Sequence, residues 1–252
     1  MRPRICANYS DECPIHAKGA HLSFGLKELA DHFDAGARIR GDIRANRYGV
    51  ADLAGANALY AKVVDEILDI LNLEPGKRVL DVGCGTGDIL SRLQAKGADA
   101  TGLDLSPLMV QIARERGCQA ELYGGGKFPL PDESFDIALI YQVIINLPEL
   151  HIAENLLSEA ARVIRPGGMI LVGAVPHPVR SRFPTHRSRW WVDTKIRLRK
   201  MLLGRGTIPY YSYPYSFFEK QLDGNRFRSL TFVPCRVTHP GWDTKYHAIF
   251  VT

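Results

Sequence analysis

Cysteine is scarce in this chain, and what there is does not suggest pairing. Cys6, Cys13, Cys84, Cys118 and Cys235 are odd in number and irregularly spaced, which argues against a disulfide framework and fits a reducing compartment. Cys6, Cys13, His16 and His21 lie close in sequence, but C-x6-C-x2-H-x4-H matches no familiar zinc finger, and no metal site is assigned. Long apolar runs are lacking too. The longest, Ile137 to Leu147, is too short to span a bilayer. No N-terminal stretch joins basic residues to an apolar segment in the manner of a secretory leader. A soluble cytoplasmic protein is expected. Internal repeats and low-complexity segments are also missing.

What is present is enough for one large α/β domain: 252 residues with 46% hydrophobic content. The net charge is +5, but it is unevenly placed. Between His177 and Gly206 nine Lys or Arg stand against the single acid Asp193, a local +8 that leaves −3 for the rest. A basic insert on a mildly acidic body needs its own explanation.

The chain is organised around VLDVGCGTG, Val79 to Gly87. Apolar residues around Asp81 read as a buried parallel strand, and the glycines after it open a turn into a helix. Gly83, Gly85 and Gly87 leave room for a ligand to approach the backbone. A second acid, Asp104 in GLDLSP, follows 23 residues after Asp81. At the end of the next strand, its carboxylate is placed to accept from both ribose hydroxyls of an adenosine.

VLDVGCGTG, GLDLSP, FPLPDESFDIAL and ARVIRPGGMILV together resemble the class I S-adenosylmethionine (SAM) dependent methyltransferases, in their small-molecule branch. The similarity covers residues 51 to 175 closely and the ends loosely. A NAD dehydrogenase normally has a longer gap between its first two glycines and the third and carries a diphosphate, which Asp81 would repel. The resemblance implies a doubly wound seven-stranded sheet, six strands parallel and the last antiparallel, with SAM at the carboxyl ends of the strands. It implies cofactor contacts from Asp81, Gly83, Gly85, Gly87, Asp104, Leu105, Met109 and Gln142. For Leu105 and Met109 ordinary core packing is the competing role. The acid that serves the adenine amino group in the family falls here on Gly124. Adenine recognition is therefore left to backbone around Gly125 and Gly126, with Phe128 packing nearby.

Residues 1–50 read as an N-terminal arm and cofactor-covering segment, and 51–252 as the SAM-binding domain. A short helix is expected from Phe24 to Phe33. Phe33, Arg44, Arg47 and Tyr48 are candidates to cover the cofactor, with surface polarity or simple packing as the alternative for each. Apolar periodicity then predicts a helix over Ala51 to Asn72, with Tyr60, Val63, Val64, Ile67, Leu68 and Leu71 on one face. Further helices are expected over Asp88 to Lys96, Leu108 to Arg116 (capped by Ser106, with Pro107 first) and Pro148 to Arg165. Strands after the first fall at Ala98 to Leu103, Cys118 to Tyr123, Phe135 to Tyr141, Met169 to Val175, Leu230 to Val237 and Tyr246 to Val251.

Residues 176–225 are longer than the simple fold needs and read as an inserted substrate cap, rich in aromatics from Trp190 and Trp191 to Phe217 and Phe218. Three roles compete for it: a wall and clamp for an anionic or aromatic small substrate, a membrane-surface helix over Arg189 to Leu203 delivering a lipid-like one, or RNA binding and plain solvation. The fourth strand ends in IYQVIIN, without the NPPY of base methyltransferases or the carboxylate that a catalytic Mg²⁺ needs. Neither nucleic acid nor a metal is therefore expected. The reaction implied is methyl transfer to an oxygen, nitrogen or carbon of a small molecule, with SAM binding without transfer as the alternative class. His177, directly after the fifth strand, is the first candidate for general base. His186, His239 and Asp243 are further candidates for the base, and Tyr141 is the candidate to orient the substrate through its hydroxyl. Nothing in the sequence fixes the oligomeric state.

Overall fold

The computed structural model describes residues 25–40, 53–178, 210–224, 226–237 and 245–252, with isolated positions between 179 and 209. It contains α1 (Leu26–Arg40), α2 (Leu53–Leu71), β1 (Arg78–Val82), α3 (Asp88–Ala95), β2 (Asp99–Asp104), α4 (Pro107–Glu115), β3 (Gln119–Leu122) and β4 (Phe135–Tyr141). A 3-10 turn at Ile144–Asn146 follows, then α5 (Leu150–Val163), β5 (Ile164–Pro176), α6 (Tyr215–Gly224), β6 (Ser229–Pro234) and β7 (Lys245–Val251). The arm before Gly25, the stretch holding Arg44, Arg47 and Tyr48, most of the basic insert, and His186, His239 and Asp243 lie outside the described residues.

The seven strands form one sheet in the order β3-β2-β1-β4-β5-β7-β6. β7 runs antiparallel to β5 and β6, while the pairs β3-β2, β2-β1, β1-β4 and β4-β5 are parallel. Six strands thus share one direction, as the resemblance implies. The central strands are apolar on both faces because each is covered twice. Leu80, Val82, Ala138, Ile140, Ile170 and Val172 face a core that takes in α5 and residues from α6. Their alternates Val79, Ile137, Leu139 and Leu171 face a second core with α2 and α3. The period-two alternation of a strand accounts for this division.

Several boundaries differ from those read in the sequence. α1 runs on to Arg40 rather than stopping at Phe33. α5 stops at Val163, before RPGG, because Ile164 is already extended (φ −84°, ψ 132°) and opens β5. The helix α6 shortens the candidate cap. Tyr211, Tyr213 and Phe218 are 0% exposed, and with Phe217 they join the core around β7 instead of lining an open pocket. Their aromatic pattern could be read equally as a pocket wall or as core, and burial decides for core.

Candidate functional site

The turn after β1 is built by backbone conformation. Gly83, Gly85 and Gly87 have φ of 74°, 56° and 79°, a region that strains side-chain-bearing residues. A Cβ on Gly83 would lie 2.4 Å from Val143 Cγ2, so the loop packs tightly against the segment after β4. A Cβ on Gly85 would meet nothing within 4 Å among the described residues, which marks the side from which a ligand can approach. The N–H groups of Gly83 and Cys84 both donate to Leu103 O, at 2.6 and 3.1 Å, tying the turn to β2.

Asp104 does more than its sequence position suggested. Its Oδ2 accepts from Gly85 N–H at 2.8 Å, and its Oδ1 from Ser106 N–H at 2.9 Å. One carboxylate therefore fixes both the glycine turn and the start of α4. A carboxylate has about four acceptor positions, so these bonds are compatible with ribose hydroxyls as further donors. Ser106 Oγ accepts from Met109 N–H at 3.1 Å, the expected cap, and donates to Asp34 Oδ1. The same Asp34 oxygen accepts from Leu108 N–H at 3.3 Å. Asp34 docks α1 on the cofactor side of the sheet, and no motif in the sequence signalled it.

The electrostatics favour a cation beside the loop. Burial, and after it the charges of Asp81 and Asp104, push the Cys84 thiol far up. The same carboxylates would oppose a diphosphate and suit an ammonium or sulfonium. The chemistry of the donor set thus fits SAM.

Other candidates are placed less favourably. Met109 (1% exposed) and Phe128 (2% exposed) have side chains absorbed by the core and little surface to give a ligand. Leu105 and Phe33 are only partly buried against the same core and remain the nearer apolar surfaces. Gly125 and Gly126, at φ 105° and 82°, turn the loop between Tyr123 and Phe128, with Tyr123 Oη donating to Gly126 O at 2.8 Å. Arg162 anchors the next stretch, donating to Phe128 O and Leu130 O at 3.1 and 3.0 Å.

At the end of β4, Tyr141 keeps an intermediate exposure. Its ring packs over Gly173, where a Cβ would come within 2.2 Å of it, and its centroid lies 6.3 Å from that of His247. Its ring is partly buried against the core beneath α2 and α3. Gln142 takes φ 58°, a strained value for a side-chain-bearing residue. Its N–H donates to Gly173 O at 3.1 Å, and its carbonyl accepts from Asn146 Nδ2 at 3.1 Å. The following turn is clamped from far along the chain: Tyr211 N–H donates to Ile145 O at 2.7 Å and Tyr213 Oη to Ile144 O at 2.6 Å. Tyr246 Oη in turn donates to Tyr213 O at 2.8 Å. Burial pushes both phenols up, so they remain protonated donors rather than bases.

His177 is half-buried among tyrosines, its ring 4.7 Å from Tyr215 and 6.2 Å from Tyr246. It follows β5, two strand spacings or about 10 Å across the sheet from β1. Among the described residues, Glu66, Cys235 and His247 could offer metal-ligand atoms within 4.8 Å of one another. Their hydrogen bonds point to a different role. Ala174 N–H donates to His247 Nδ1 at 3.4 Å, and Nε2 of the same ring faces Glu66 Oε1 at 3.1 Å. Glu66 also accepts from Arg236 N–H at 2.6 Å and Val237 N–H at 2.9 Å. Burial, and after it the Glu66 charge, leaves the Cys235 thiol pushed up to about 12. The three residues pin the chain after β6 onto α2.

A doubly wound sheet with a glycine turn after β1 and an acid ending β2 defines a Rossmann-like domain built for an adenosine-bearing ligand. Residues 80–172 match the family model described as a methyltransferase domain. The matched residues run from β1 into β5 and include the glycine turn and Asp104. The chain is 38% identical over 122 residues to a demethylmenaquinone methyltransferase of Tropheryma whipplei, covering 47% of this chain and 50% of that protein. It is 37% identical over 169 residues to a ubiquinone/menaquinone biosynthesis C-methyltransferase of Rhizobium leguminosarum, covering 61% and 64%. The chain thus spans about half to two thirds of the length of these curated relatives. In fold it is similar to the magnesium protoporphyrin IX methyltransferase of Synechocystis with bound SAM, at TM-score 0.59 and 18% identity, covering 93% and 99%.

Proposed function

We propose that this protein transfers a methyl group from SAM to an oxygen, nitrogen or carbon nucleophile of a small aromatic or anionic substrate. The observation that carries this is the Asp104 carboxylate joined to Gly85 N–H and Ser106 N–H beside the open face of the glycine turn. The bound sulfonium supplies an already activated methyl group. The chain's task is then to align a nucleophile with that methyl and to keep water out. Asp104 and the turn hold the adenosine end, and Asp81 and Asp104 provide the negative field for the cationic end. The relatives named for quinones favour an aromatic ring bearing hydroxyls, and the basic stretch from His177 to Gly206 favours an anionic one.

Residues 176–225 act in this scheme as the substrate cap, with the cap proper lying before the buried Tyr211. The basic stretch also allows peripheral contact with a membrane carrying a lipid-like acceptor. Among the described residues no helix is long and apolar enough to cross a membrane, and we assign the protein to the cytoplasm. His177 serves as general base where the nucleophile needs one. The experiment is turnover of SAM to S-adenosylhomocysteine with cell extract and with naphthohydroquinone, followed by mass spectrometry of the methylated product. His177→Ala should lower turnover on the order of 10²-fold with SAM affinity unchanged. SAM binding with no methylated product from any acceptor would favour a SAM-binding protein of other chemistry.

A further inference from the structure

Asn146 lies in the turn directly after β4 and is 6% exposed. Its amide is used on one side only. Nδ2 donates to Gln142 O at 3.1 Å, while Oδ1, equally buried, has no hydrogen-bond partner among the described residues. The assignment of the two atoms follows from chemistry: the Gln142 carbonyl can only accept, so the nitrogen must face it and the other atom must be the oxygen. A buried acceptor left without a donor is costly and calls for an explanation. Relaxation of the turn is opposed by several contacts. Gln142 is held at φ 58°, Tyr213 Oη and Tyr211 N–H clamp the carbonyls of Ile144 and Ile145, and Val143 is wedged against Gly83. The acceptor is therefore preorganised in a segment that touches the cofactor turn.

We propose that Asn146 binds the methyl acceptor, its Oδ1 taking a hydrogen bond from an O–H or N–H of that substrate. This rests on the methyltransferase reading and adds the feature that the substrate must present a donor. The side of the turn matters. The two carbonyls preceding Asn146 are bonded by Tyr211 and Tyr213, which end the inserted stretch, so Asn146 sits where insert and strand ends meet. The cofactor's adenosine contacts lie instead at Asp104, across β1. An amide cannot remove a proton at neutral pH, so Asn146 orients the acceptor without serving as its base.

The test uses the full chain saturated with S-adenosylhomocysteine, whose affinity is measured first. Naphthohydroquinone, kept reduced, is then compared with dimethylnaphthalene, which carries methyl groups in place of the hydroxyls. The ratio of their affinities should fall about tenfold in Asn146→Leu, the usual worth of a neutral hydrogen bond inside a protein. Asn146→Ser, which withdraws the acceptor while keeping the site polar, should lie between and serves if the leucine variant does not fold. An unchanged ratio in the folded variants, or no preference for hydroxyls in the wild type, overturns the inference while leaving cofactor binding intact. Loss of S-adenosylhomocysteine affinity in Asn146→Ser equal to the loss of naphthohydroquinone affinity would place Asn146 on the cofactor and also overturn it. Wild-type protein that binds no S-adenosylhomocysteine removes the methyltransferase reading itself, and the inference with it.

Discussion

The glycine turn after β1 and the turn after β4 meet where Val143 packs on Gly83, yet they are held in different ways. The first is set by three left-handed glycines and one carboxylate within a short stretch of chain. The second is set by side chains that arrive from 69 residues later, as Tyr213 does on Ile144. In the proposed scheme, local backbone chemistry would fix the cofactor end and long-range packing the acceptor end. One fold can thus keep its cofactor while its acceptor region changes with distant parts of the chain.

The largest effect should come from forcing the two turns apart. Gly83→Val places a side chain at φ 74° and against Val143. It should abolish SAM binding and cost about 2–4 kcal/mol of stability by denaturant unfolding, from backbone strain and overpacking together. Full SAM affinity in that variant would show that the turns are not in contact in solution. Asp104→Ala should follow, weakening SAM by roughly 1.5–3 kcal/mol, the range for hydrogen bonds to a charged group. Because Asp104 also ties Gly85 to Ser106, the loss should be accompanied by faster amide exchange at Gly85, which a residue serving the ribose alone would not cause.

These outcomes bear on what the sequence could convey. The glycine turn at Gly83, Gly85 and Gly87 and the place of Asp104 at the end of β2 were legible because they depend on local conformation and on a short, fixed spacing between adjacent strands. The Ser106 cap was legible for the same reason. The burial of Tyr211 and Tyr213 was not. An aromatic next to a candidate site looks the same whether it lines a pocket or fills the core, and only the packing of β5, α6 and β7 separates the two. Asp34 and Glu66 gave no signal either, since each acts through partners that tertiary structure brings near.

A smaller effect should come from Glu66. Burial pushes its carboxyl up, but hydrogen bonds from His247 and from the N–H groups of Arg236 and Val237 outweigh this and hold it below its ordinary value of about 4.5. The folded value lies below the unfolded one. Its contribution is therefore fully present above the unfolded value and is lost as pH falls through the folded one. Thermal melting should show stability declining below about pH 4.5. Glu66→Gln should flatten that decline and cost about 1–3 kcal/mol near neutrality, because an amide nitrogen would oppose one of the N–H donors. An unaltered acid limb in Glu66→Gln would assign the decline to other carboxylates. The smallest change expected is for Asp34→Ala, about 1 kcal/mol from the lost bonds to Ser106 and Leu108. A modest fall in SAM affinity should accompany it if α1 covers the cofactor.

Calorimetric titration of SAM into the full chain, wild type beside Gly85→Val, tests the central claim most directly. A Cβ there would enter the open space beside the turn, with no atom of the described residues within 4 Å. The account predicts binding by the wild type and its loss in a variant that remains folded. Equal SAM affinity in the two proteins would contradict it.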